Sequence, residues 1–194
     1  MKELILSAAS DIIASEGFAK LSIRKIAKKI EYSPSIIYHY FNDKEEILNV
    51  VMQRGYKKIV SAVSSMKIES STPEEKLIKM TRNYINVALS MPEEFMAAQL
   101  NQSKVALKHT SSMFEGASKE KLALAELYQC LKEIYKDKDV DEKTIELTAQ
   151  MIVVSTLGLI LKIIIEKDIG DEQRDNLINF YSNEIVLRIA NGNR

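Results

Sequence analysis

Tryptophan is absent from this chain of 194 residues, cysteine occurs once, and there are only three prolines and six glycines. A single cysteine, Cys130, excludes an intrachain disulfide and suits a reducing compartment. With few residues that break regular structure, and with Ala, Leu, Ile, Lys and Glu abundant, the chain reads as mostly helix. Charge of one sign is also missing. The 27 basic and 27 acidic residues cancel, which argues against a protein that coats nucleic acid along its whole surface. The two histidines, His39 and His109, lie far apart, and no metal-ligand spacing, Gly-rich phosphate loop or nucleophile elbow occurs. No catalytic residue, metal or cofactor is therefore expected, and the chain does not read as an enzyme. The most apolar run, residues 151–165, is shorter than the ~20 residues of a membrane span and is interrupted by Lys162. No membrane partner is expected. The start of the chain reads as helix, without the pattern of a secretory leader, so a cytoplasmic location is expected.

What is present is helical periodicity with clear punctuation. Ile5, Ala8, Ala9, Ile12 and Ile13 form one stripe that stops at Gly17, which is placed to act as a left-handed cap. Ser22 can cap a second helix carrying Ile23, Ile26, Ala27 and Ile30. After a short turn at Glu31 and Tyr32, Ser33 can cap a third helix, with Pro34 at its favoured first position. Asp43 and Glu46 make a capping-box-like start to a long fourth helix reaching toward Met66. Residues 69–73 are the clearest turn in the chain. Further helices are predicted over 72–90, 95–105, 118–136, 141–167 and 171–190, with a looser stretch at 109–117. This gives an all-α chain of about nine helices, since no segment alternates with period two.

Two short helices joined by a tight turn match a helix-turn-helix, whose second helix can enter the major groove of DNA. Ile37, Tyr38 and Phe41 are expected to anchor that helix inward, leaving Ser35, Ile36, His39 and Tyr40 facing out. Lys20, Arg24, Lys25, Lys28, Lys29 and Lys44 face only Glu31 and Asp43 in the same stretch, a local basic surplus suited to phosphates. On spacing alone, a generic helical hairpin with a charged face remains an equal reading.

The segment 5–48 resembles the DNA-binding domain of the TetR family of bacterial regulators. The resemblance is carried, without a gap, by Ala8-Ala9, Gly17, Leu21-Ser22, Ile26-Ala27, Ser33, Ile37-Tyr38, Phe41, Lys44-Glu45 and Leu48. It departs from the family pattern at Glu31 and Ser35, where glycine is usual, and at Tyr40, where histidine is usual. The resemblance implies phosphate contacts from Ser22, Tyr38, Tyr40 and Lys44, and base or groove contacts from Arg24, Lys25, Ser35, Ile36 and His39. Arg24 suits guanine, because a guanidinium fork matches O6 and N7. A non-glycine residue held left-handed at Glu31 costs on the order of 1–2 kcal/mol, so this turn is either shifted or strained.

The expected organisation is a DNA-binding domain over 1–48 and a ligand-binding and dimerisation domain over 49–194. A helix apolar on nearly every side, as 151–165 is, has to be buried on every side, by its own core and by a partner. The resemblance implies a homodimer through the last two helices, about 141–190, on double-stranded operator DNA with paired half-sites. Tyr84, Met91, Phe95, Met96, Gln99, Met113, Phe114, Tyr128 and Met151 are adaptable residues on the middle helices that can line a cavity for a small apolar or amphiphilic effector. The expected function is a ligand-released repressor, in which the effector shifts the long fourth helix. The alternative is the same reading head governed by a protein partner.

Overall fold

The computed structural model describes residues 1–64, 68–100, 102, 104–166 and 168–192. Among these, eleven α-helices and no strand are found. They are α1 (Lys2–Glu16), α2 (Ile23–Lys29), α3 (Pro34–Tyr38), α4 (Lys44–Ser64), α5 (Pro73–Ser90), α6 (Pro92–Gln99), α7 (Lys104–Thr110), α8 (Ala117–Glu120), α9 (Leu122–Ile134), α10 (Glu142–Ile165) and α11. The last runs from Asp171–Phe180 through a wider π turn, Tyr181–Ile185, into Val186–Asn191. Met66, the expected far end of the fourth helix, lies outside the described residues.

The count exceeds nine because two expected helices are each divided. The stretch 95–105 becomes α6, which ends at Gln99, and α7, which starts at Lys104. The stretch 118–136 becomes α8 and α9, broken at Lys121, whose backbone is extended (φ −109°, ψ 108°). Glu146 of α10 reaches the start of α8, accepting from the Gly116 and Ser118 amides at 3.1 and 3.0 Å and from the Ser118 hydroxyl at 2.8 Å. These amide bonds hold the Glu146 carboxyl below its usual range. One turn on, the buried Gln150 donates to the Ser112 and Phe114 carbonyls at 3.0 and 3.1 Å.

The chain packs as two compact units. The first comprises residues 1–59 and 91–111, and the second 60–90 and 112–194. In the first, Ile5 and Ala9 of α1, Ile26 of α2, Ile37 of α3 and Ile47 of α4 share one buried cluster with Ala98 of α6 and Ala106 of α7. Each fully buried Ile contributes about 1.5–3 kcal/mol of transfer free energy. The second is built on Leu77 and Ile85 of α5, Leu124 and Leu131 of α9, Ile152 and Ile160 of α10, and Val186 of α11. Cys130 is buried here, its thiol donating to the Pro73 carbonyl at 3.3 Å, and burial pushes its pKa up to about 11. It stays a thiol at neutral pH.

The apolar run 151–165 is part of a longer helix than its own length suggests. It belongs to the 24-residue α10, which is long and apolar enough to cross a membrane by length and composition, because Ile145, Leu147 and Ala149 extend it on the N-terminal side. One face of α10 packs inward through Ile145, Ala149, Ile152, Thr156, Ile160 and Ile163. The other leaves Leu147, Met151 and Val154 exposed in the single chain.

Candidate nucleic-acid interface

The reading head is assembled by its caps. Ser22, in extended backbone, accepts the Lys25 amide at 3.3 Å and opens α2 as its sequence requires. Gly17 ends α1 at φ 83° and ψ 164°, a region that only glycine enters cheaply, rather than in the left-handed helical cap expected. At the end of α2, the Tyr32 amide donates to the Ala27 carbonyl (3.0 Å) and the Glu31 amide to Lys28 (3.3 Å). This pair of bonds is a Schellman motif, and it forces the residue after the cap into the left-handed region. That residue is Glu31, at φ 60°, the one non-glycine with positive φ among the described residues. The turn is therefore strained in place, not shifted.

Helix α3 begins with Pro34 in its first turn, but Ser33 does not cap it through its hydroxyl. Ser33 Oγ instead meets Ser35 Oγ at 2.7 Å. Ile37 and Phe41 point inward and are buried. The expectation that Tyr38 joins them is corrected, since its side chain is 57% exposed. Ile37 and Phe41 lie four residues apart on one stripe, and Tyr38 is rotated about 100° from Ile37. Ser35, His39 and Tyr40 are exposed and Ile36 is half-buried. The start of α4 follows at once. The Glu46 amide donates to Asp43 at 2.8 Å, and the Glu46 carboxylate accepts the Asn42 amide at 2.7 Å. This fixes Lys44 in the first turn, beside Glu45 at 3.9 Å.

The charge on this surface is less than the local count implies. Lys25 is paired with Glu16, whose carboxyl it holds below the usual range, and Lys29 pairs with Asp11 at 3.2 Å. Arg24 and Lys28 make no ion pair among the described residues. Arg24 thus keeps an exposed guanidinium outside any ion pair among the described residues, whereas Lys25 has to leave Glu16 before it meets anything else. The acids come from α1, and the spacing of 20–44 alone does not reveal them. Arg54 of α4 grips Glu3 of α1 with two bonds of 2.6 and 2.7 Å.

The nine residues expected to line a cavity are divided. Met91, Phe95, Met96 and Gln99 belong to the first unit, and Tyr84, Met113, Phe114, Tyr128 and Met151 to the second. Phe95 is fully buried, while Met113 and Met151 are exposed in the single chain. Phe114 and Tyr128 are partly covered by the ammonium groups of Lys121 and Lys132, at 5.8 and 5.7 Å from their ring centroids.

A buried anchor face opposite an exposed polar face, on a short helix braced by another and followed by a capped helix start, is a DNA-binding helix-turn-helix. Residues 5–51 match the family of bacterial regulatory proteins called the tetR family. Among curated relatives, the regulator BetI of Stenotrophomonas maltophilia is 28% identical over 112 residues, 54% of this chain and 57% of that protein. The fatty acid metabolism regulator protein of Bacillus subtilis is 32% identical over 73 residues, 38% of each chain. The matched stretches thus span about half or less of these relatives. Among solved structures, the fatty acid degradation regulator FadR of Bacillus halodurans superposes with a TM-score of 0.68 at 22% identity, covering 100% of this chain and 96% of its own. A TetR-like regulator from Rhodococcus sp. RHA1 gives 0.71 at 19% identity, covering 99% and 96%. Residues 5–51 are thus a helix-turn-helix segment matching the tetR family of bacterial regulatory proteins. Over the rest of the chain the solved structures show a shared fold.

Proposed function

We propose that this regulator is a homodimeric, cytoplasmic repressor that binds a palindromic operator and is released from it by a small amphiphilic effector. In this reading residues 1–48 read DNA, and residues 49–194 dimerise and sense the effector. The observation that carries it is the outward face of the head. Arg24, Ser35, Tyr38, His39 and Tyr40 stand exposed on a helix pair whose opposite side is locked by Ile26, Ile37 and Phe41. Tyr38, Tyr40, Ser22 and Lys44 are suited to phosphates, and Arg24, Lys25, Ser35, Ile36 and His39 to the groove.

Dimerisation is supported by α10. Leu147, Met151 and Val154 recur at four- and three-residue steps on its exposed face, and Phe180 of α11 is 56% exposed. A methyl group added at Gly158 would meet nothing within 4 Å, so a partner helix can approach closely there. Burying such a stripe against its twofold copy satisfies both chains at once. For the effector, the B. subtilis relative's role in fatty acid metabolism favours a ligand with an acyl-like chain. Release can travel through the first unit, where Ala98 and Ala106 of α6 and α7 sit in the same core as Ile5 and Ile47. A close-packed core passes on a displacement rather than absorbing it. A hundredfold loss of DNA affinity requires the effector to prefer the incompetent state by about 2.7 kcal/mol.

The test is selection of bound fragments from genomic DNA, followed by footprinting and native mass spectrometry of the complex. The expected result is two inverted half-sites spaced by whole turns of about 34 Å, occupied by an even number of chains. Protection without sequence preference, or a single half-site bound by one chain, contradicts it.

A further inference from the structure

In the second unit, α5 meets the π turn of α11 through polar groups that the fold leaves incompletely used. Ser182 is fully buried, and its hydroxyl has no hydrogen-bond partner among the described residues. Four other helical hydroxyls of this unit behave differently. Thr81, Thr148, Ser155 and Thr156 all donate to the carbonyl four residues back, at 2.6–2.9 Å. Ser182, in the widened turn, does not. Arg82 of α5 is a half-buried guanidinium with no carboxylate partner among the described residues, and it reaches the residue next to Ser182. One Arg82 nitrogen donates to the neutral amide oxygen of Asn183 at 3.2 Å, which fixes the guanidinium against this turn. Its Nε is buried and has no partner.

Buried donors left unmade forfeit their hydration without a replacement bond, and native proteins keep few of them without a function. A π turn inside an α-helix is also a recurrent mark of functional positions. The chemistry selects the guest. An arginine Nε–H and a serine O–H both donate, so they suit an oxyanion, and one unpaired positive charge balances one negative charge. Four residues to either side of Ser182, Ile178 and Val186 are buried and apolar. We propose that the junction of Arg82 with the π turn at Ser182 binds the carboxylate of an amphiphilic acid whose chain lies along apolar helix surface. This rests on the effector reading above and narrows it from amphiphilic to anionic.

The test is calorimetric titration of the full-length protein with decanoate and with decanol, which share a chain and differ in the head, each below its micellar range. The expected result is at least tenfold tighter binding of decanoate. Arg82→Gln and Ser182→Ala should each erase most of that preference while leaving decanol affinity unchanged. Ser182→Ala also guards against misfolding, because deleting an unsatisfied buried hydroxyl should leave the melting temperature equal or higher. Equal affinity for the two ligands, binding of neither, or a preference that survives both substitutions overturns the site. The effector reading is tested separately by adding either ligand to the protein–DNA complex. Decanoate that binds through Arg82 without releasing DNA removes the effector role and keeps the site. Release by decanol as effective as by decanoate keeps the effector role and removes the site.

Discussion

Replacing Glu31 by glycine should stabilise the protein, although it removes a whole side chain from the DNA-binding head. Glu31 follows the last turn of α2 at φ 60°, held there by the Tyr32–Ala27 and Glu31–Lys28 bonds. For an L-residue this conformation costs roughly 1–2 kcal/mol, which glycine does not incur. Against that gain stands the extra freedom of glycine in the unfolded chain, about 0.5–1 kcal/mol. The side chain is exposed and makes no hydrogen bond or ion pair among the described residues, so little else is lost. The net gain is about 0.5–1 kcal/mol, or roughly 1–4 °C in melting temperature for a chain of this size. Removing a negative charge from a helix C-terminus adds about 0.3 kcal/mol more. Glu31→Ala separates the two contributions, because alanine loses the charge and keeps the Cβ that causes the strain. Thermal melts of the three proteins at equal concentration should rank glycine highest, with alanine within about 0.5 kcal/mol of the parent. A glycine variant that melts below the parent, or an alanine variant that gains as much as glycine, would refute the strain at this turn.

Other perturbations follow from the same contacts. Ser22→Ala removes the cap of α2 and should cost about 1 kcal/mol, seen as a lower urea midpoint with an unchanged slope. Tyr181→Phe deletes a hydroxyl that meets Ser155 at 2.6 Å and Thr156 at 2.9 Å. Both partners keep backbone bonds of their own, so the loss should be only about 1 kcal/mol by chemical denaturation. Glu75 is held down to about 2 by Lys79 and then by the Ser71 amide and hydroxyl. Its folded pKa lies below the ordinary value of 4.5, so its stabilisation is complete above that pH and fades between there and about 2. Glu75→Gln should therefore melt lower than the parent at pH 7, and the two curves should converge in acid. Met151→Lys places a charge in the exposed stripe of α10 and should turn a dimer into a monomer in sedimentation, with the helical circular dichroism retained.

How much of this was legible in the sequence depends on distance along the chain. The caps at Ser22 and Asp43 are signals within three or four residues, and both are readable from residue type and spacing. The buried stripe of α1 recurs over several turns, so its phase was fixed. Helix α3 has only five residues, too few for periodicity to separate Ile37 from Tyr38, and the tyrosine was placed on the wrong face. The pairing of Lys25 with Glu16 and Lys29 with Asp11 depends on how α1 crosses α2, which no local pattern encodes. Glu146 and Gln150 reach back 28 to 38 residues to hold the segment before α9. Such contacts set the middle of the chain, where the expected helices were divided differently.

The most direct test of the account is the equilibrium affinity for a selected operator of the parent and of an Arg24→Ala/His39→Ala/Tyr40→Ala variant. These side chains are exposed, so the variant should fold as the parent does. Loss of two groove contacts and one phosphate contact, at about 1–3 kcal/mol for a single base contact, should weaken specific binding at least tenfold and flatten its salt dependence. An unchanged affinity in the folded variant would contradict the assignment of this surface as the one that reads DNA.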